Sequence, residues 1–159
     1  MKKLVLIIFI AFATSCSPPS AGTLGGWDII VFPLKEEKME SYLKQFYHQY
    51  PQFQVPTEKK YIEDYWKDAG YSFLKGKFFY IENEPSRIYY VTYVDAGFGV
   101  QHPEYTRIAL RAVYKSENDR WYIKDKFSIK EQDDISEVFK NEIILRLEQL
   151  TETKSYIQK

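Results

Sequence analysis

Four short segments rich in tyrosine, valine and isoleucine, at residues 78–82, 87–95, 104–115 and 120–127, constrain the fold of this chain more than any other feature. Such side chains suit a pleated, half-buried strand far better than a helix. Asn83, Glu84, Pro85 and Ser86 separate the first two segments, and Ser116, Glu117, Asn118 and Asp119 separate the last two. Both sets have the composition of hairpin turns. Strands joined this tightly pair antiparallel, so the pattern predicts a four-stranded meander.

The flanking segments read differently. Residues 27–32 form a short apolar run closed by Pro33, consistent with a buried or edge strand. Met39, Leu43, Phe46, Tyr47 and Tyr50 then recur at helical spacing until Pro51, and Tyr61, Ile62, Tyr65, Trp66 and Ala69 make a second stripe ending at Gly70. After the meander, Ser128 and Glu131 have the spacing of a capping box. Ile135, Val138, Phe139, Ile143, Leu147 and Leu150 continue an apolar face behind it. The expectation is a single α+β domain over residues 27–150, a curved antiparallel four-stranded meander packed with two N-terminal helices and one C-terminal helix, followed by a frayed end at 151–159. This order of elements, with Arg120, Trp121, Tyr122, Ile123 and Lys124 on the last strand, distantly resembles cystatin-like and NTF2-like domains. That resemblance is architectural and implies no particular site residue.

The first residues obey different rules. Lys2 and Lys3 precede the uncharged apolar run 4–13, and Ala13, Thr14 and Ser15 lead into Cys16, the only cysteine. This resembles the type II signal peptide of bacterial lipoproteins, in which residues 1–15 are removed and Cys16 carries the lipid, palmitate included. Ordinary secretory cleavage after Ala13 is the competing reading, and it leaves Cys16 as a free thiol. The apolar run is about half the roughly 20 residues that a spanning helix needs. Residues 16–26, rich in serine, proline and glycine, read as a tether that holds the domain near the membrane. Ser17 follows the cysteine where inner-membrane retention would call for aspartate, so the resemblance implies an outer-membrane location in the cell envelope.

One cysteine allows no internal disulfide, so the domain must rest on its core. With 22 basic and 22 acidic side chains and no basic run, the chain lacks the electrostatic footprint of a nucleic-acid binder. No cofactor loop, metal-ligand spacing or nucleophile motif occurs, which points to a non-catalytic protein. His48 lies among aromatic residues of the first helix and reads as a packing residue. The loop from Asp95 to Glu104 has an unusual makeup, with glycines flanking Phe98 and with Asp95, His102 and Glu104 close in sequence. It is a candidate for ligand or partner contact, or for catalysis if the three polar side chains meet.

Strand alternation places Ile88, Tyr90, Val94, Ile108, Leu110, Ala112, Trp121 and Ile123 on one face, the expected core. Tyr80, Tyr89, Tyr93, Arg107, Arg111, Tyr122 and Lys124 then share the other face. Tyrosine and arginine are enriched at interfaces. The expected function is therefore a lipid-anchored envelope protein that binds a protein partner through Tyr80, Tyr89, Tyr93, Arg107, Arg111 and Tyr122 and helps assemble or tether an envelope complex. A small-ligand or glycan-binding lipoprotein is the alternative, and it requires a largely apolar cavity of about 300 Å³ or more.

Overall fold

The computed structural model describes residues 25–94 and 104–158. The leader, Cys16 and the tether up to Leu24 lie outside these residues, as do Asp95, Phe98 and His102. In chain order the elements are β1 (Ile29–Phe32), α1 (Glu36–Gln49), α2 (Tyr61–Trp66), β2 (Gly76–Ile81), β3 (Arg87–Tyr93), β4 (Thr106–Lys115), β5 (Arg120–Tyr122), α3 (Ile129–Phe139), α4 (Leu145–Thr151) and β6 (Tyr156–Ile157). Fold class is α+β, as the sequence pattern predicts.

The sheet is antiparallel and larger than the expected meander. Its order is β2-β3-β4-β1-β6, with β5 also paired to β4. Strand β4 is ten residues long, long enough to share one edge between two partners. Residues Thr106 to Ala109 face β1, and Val113 to Lys115 face β5. The C-terminal residues, expected to be frayed, instead add β6 to β1, with Ile157 opposite Ile30 and Tyr156 opposite Val31.

Each helix forms for a local reason. In α1 the three- and four-residue spacing buries Met39, Leu43 and Phe46, each contributing about 2 kcal/mol, and Pro51 follows where the helix ends. At α3 the predicted capping box is present: the Glu131 N–H donates to Ser128 Oγ, and the Ser128 N–H donates to the Glu131 carboxylate at 2.9 Å. A π-helical turn, Lys140–Ile144, joins α3 to α4, so the expected C-terminal helix is continuous but locally widened. Its extra residue advances the buried stripe, and Ile144, Glu148 and Thr151 turn inward together with Ile143 and Leu147.

Helices α1, α3 and α4 cover one face of the sheet, here called the inner face, where Phe79, Tyr89, Val91, Tyr93, Ile108, Leu110 and Val113 meet Phe46, Phe139, Ile143 and Leu147. The outer face is covered in part by α2 and the turns before it, which pack Val55 and Ile62 on Ile88 and Tyr114. Phe78, Tyr90, Trp66 and Trp121 extend this layer as a cluster of rings, with Phe78 and Tyr90 stacked at 4.5 Å.

A bulge decides which side chains lie on which face. Tyr90 pairs with Ala112 and Val91 with Leu110, which leaves Arg111 as the extra residue. Ile108 and Leu110 therefore point inward as expected, but beyond the bulge the parity reverses and Val113 points inward in place of Ala112. Gly25 sits against this bulge. A Cβ there would lie 1.9 Å from the Arg111 carbonyl oxygen, so only glycine fits. The end of the expected tether is thus part of the fold, and the Gly25 carbonyl accepts from the Lys124 N–H.

Candidate functional site

The proposed tyrosine and arginine surface does not form. Tyr89, Tyr93 and Tyr122 lie on the inner face, whereas Tyr80, Arg107 and Arg111 lie on the outer one. Tyr89 is fully buried, with its ring parallel to Phe139 of α3 at 6.2 Å. Tyr93 is 4 % exposed beneath α1. Burial, and then the carboxylates of Glu40 and Glu36, push its hydroxyl well above the usual range. Tyr122 is half-buried, packed on Phe127 at 5.7 Å with Lys115 Nζ above the ring. Tyr80 lies half-buried on the other side, under Lys59 Nζ. The physical reason is the segment RIYYVTY of β3, which offers an aromatic or β-branched side chain at both parities. Alternation alone then cannot choose its inward face.

Arg107 and Arg111, on the face opposite the expected core, are expected to stay in water, because burying an unpaired guanidinium costs several kcal/mol. Arg107 is half-buried on the outer face and donates to Gln158 Oε1 at 3.0 Å. Arg111 is 5 % exposed, contrary to that expectation. Its Nε and Nη2 groups donate to Thr92 Oγ1 at 3.2 and 2.9 Å, and burial lowers its pKa. Lys124 belongs to a short turn after β5, where Nζ stands over the Trp27 ring. Of the loop candidates only Glu104 is among the described residues, and it is exposed. His48 is exposed on α1.

A groove opens on the inner side, between the helix layer and the sheet near β1 and β6. It has a volume of about 640 Å³ and a floor of Trp27, Ile30, Leu110, Phe139 and Ile144. Asp28, Ser136, Glu137, Lys140, Asn141 and Ser155 supply a polar rim. Volume and lining fall within the range of small-molecule sites. The π-helical turn contributes Lys140, Asn141 and Ile144, which places its irregular backbone directly at the groove.

Glu148 holds the remaining wall in place. Its carboxylate accepts from the Ser155 N–H at 2.9 Å, from Ser155 Oγ at 2.8 Å and from Lys154 Nζ at 2.9 Å. Burial alone would raise its pKa. The bonds from Lys154 and Ser155 outweigh that effect and keep it below the ordinary carboxylate range. Glu152, with φ of 54°, ends α4 and turns the chain back toward β1. The Gln158 N–H then donates to the Ile29 carbonyl at 2.9 Å.

Sequence reasoning had placed Trp27, Ile30, Leu110, Phe139 and Ile144 in core strands or helices, or left them unassigned, and none as site residues. The signal was absent because the groove is assembled from segments distant in sequence, one of them read as frayed. Among the described residues no group of three or more His, Cys, Asp or Glu side chains is placed to hold a metal ion. No helix among them is long and apolar enough to cross a membrane. Comparison with protein-family models, with curated proteins and with solved structures finds no match to this chain.

Proposed function

We propose that this protein is a non-catalytic, lipid-anchored component of the bacterial cell envelope that captures a small ligand with an apolar body and a hydrogen-bonding head. The groove over Trp27, Ile30, Leu110, Phe139 and Ile144 carries the reading, because its volume exceeds the requirement for a ligand cavity and its floor is apolar with a few polar groups around it. The anchor rests on the leader and Cys16, and the outer-membrane location on the resemblance to lipoprotein sorting. Anilinonaphthalene sulfonate, an apolar fluorophore with an anionic head, is a suitable probe. Its fluorescence with the full chain should fall about fivefold or more in Asn141→Trp, which places a large ring in the groove from an exposed rim position. Equal fluorescence in the variant, at an unchanged unfolding midpoint, would remove the groove as a site.

A protein partner is the second reading. Leu145, Tyr156 and Ile157 are exposed at the mouth of the groove, with Tyr156 and Ile157 more than half accessible. These exposed apolar side chains, set among the polar ones of the rim, suit a partner segment laid across the groove. The tyrosine-rich face no longer supports that reading, since Tyr89 and Tyr93 lie under helices.

A further inference from the structure

On the outer face, α2, the end of β4 and the turn into β5 enclose a second hollow of about 540 Å³, well away from the groove. Tyr61, Tyr65, Tyr114 and Trp121 supply its rings, and Asp68, Asp119 and Arg120 its charged groups. Its aromatic residues are unusual for a surface. Tyr61 is 62 % exposed and Tyr65 52 %, and Tyr71 and Phe73 continue the exposed aromatic series along the same segment. Burying those rings would be favourable, and the sheet below is already filled by Ile62, Ile88 and Tyr114.

The hollow is built rather than accidental. Asp119, in a left-handed conformation at φ 51°, accepts from the hydroxyls of both Tyr61 on α2 and Tyr114 on β4. One carboxylate thus fixes the distance between helix and strand. Trp121 packs on Tyr114 at 5.5 Å and on Trp66 at 5.7 Å, which locks the floor. Asp68 and Arg120 line the walls and, among the described residues, neither is in an ion pair. The site therefore offers aromatic rings flanked by one uncommitted acceptor and one uncommitted donor.

We infer that this hollow binds a neutral glycan chain, with Tyr61, Tyr65 and Trp121 against the C–H faces of successive pyranose rings and with Asp68 and Arg120 on their hydroxyl groups. Pyranoses present what the site lacks: an apolar ring face edged by vicinal hydroxyls that accept and donate in alternation. Tyr61 and Tyr65 are four residues apart, so their positions differ by about 6 Å along the helix, close to the spacing of adjacent sugars in an extended β-1,4-linked chain. Charge selects against the other ligands that stack on aromatic rings. Asp68 and Asp119 line the hollow against Arg120 alone, a net negative lining that disfavours nucleotide phosphates and anionic lipid headgroups.

The test uses the full chain in a detergent without a sugar headgroup. Tryptophan fluorescence is titrated with chitohexaose and with cellohexaose, and glycerol 3-phosphate, the soluble anionic headgroup, serves as the comparison. Saturable change with a neutral hexasaccharide is expected, weakened about tenfold or more in Tyr65→Ala and several-fold in Asp68→Ala. Both residues are exposed, so neither variant threatens folding. Ile129→Ala, on the opposite helix layer, should bind as the parent does. Absence of saturation with both hexasaccharides up to about 10 mM overturns the inference. So does equal binding by Tyr65→Ala, or a saturable change with glycerol 3-phosphate that depends on Tyr65. The anilinonaphthalene sulfonate signal reports the groove separately, so failure of one site leaves the other judged on its own data.

Discussion

At the scale of single residues, Glu131 connects two parts of the fold. Its carboxylate takes Lys115 Nζ at 2.8 Å and also closes the capping box with Ser128. Lys115 in turn lies over the rings of Tyr122 and Phe127, so the start of α3 is fastened to the end of β4. The hydrogen bonds from Lys115 and then from Ser128 lower the Glu131 pKa from 4.5 to about 2. A carboxylate whose pKa is depressed on folding contributes stability above its unfolded value, and that contribution disappears as pH falls through the folded value. Glu131→Gln should therefore unfold at a lower temperature than the parent at pH 7. The two melting curves should converge between pH 4.5 and about 2, measured by circular dichroism. A difference that persists at pH 2 would show that packing, rather than charge, causes the effect.

At the scale of elements, β6 shows how a short strand is held by its surroundings. Two residues of pairing are weak on their own. Glu148 fastens Lys154 and Ser155 ahead of the strand, while the Gln158 main chain reaches Ile29 and its side chain accepts from Arg107. The strand is thus anchored at both ends. Glu148→Ala should speed hydrogen exchange of the Tyr156 and Gln158 amides, which face β1, about tenfold or more, with little change in β3 and β4. Because Ser155, Tyr156 and Ile157 wall the groove, the same variant should alter anilinonaphthalene sulfonate fluorescence. Unchanged exchange at Gln158 would mean that backbone pairing alone secures the strand.

At the scale of the whole molecule, one sheet serves two dissimilar layers. The inner layer of α1, α3 and α4 buries most of the aliphatic core, and the outer layer around α2 is largely aromatic. Both rest on β3 and β4, whose residues alternate between them. Neither layer can lose its support without the other. Thermal unfolding followed by tryptophan fluorescence, with Trp27 inside and Trp66 and Trp121 outside, should give the same midpoint as far-ultraviolet circular dichroism. An earlier fluorescence transition would show that the outer layer opens by itself.

Local patterns in the amino-acid sequence determined the strand segments, the stripe of Met39, Leu43 and Phe46, the Ser128–Glu131 cap and the α+β class. Each depends on residues a few positions apart, where periodicity and hydrogen-bonding geometry act directly. The tertiary structure decided which way the strands face, because the bulge at Arg111 reverses parity and β3 is apolar on both sides. It also decided the fates of Gly25 and of the C-terminal residues, read as tether and frayed end, which both pack on strands remote in sequence. The candidate sites follow from the same physics. Neither hollow has a local signature, since each arises only when α2, or β6 and the π-helical turn, are brought against a sheet whose register is set by the whole chain.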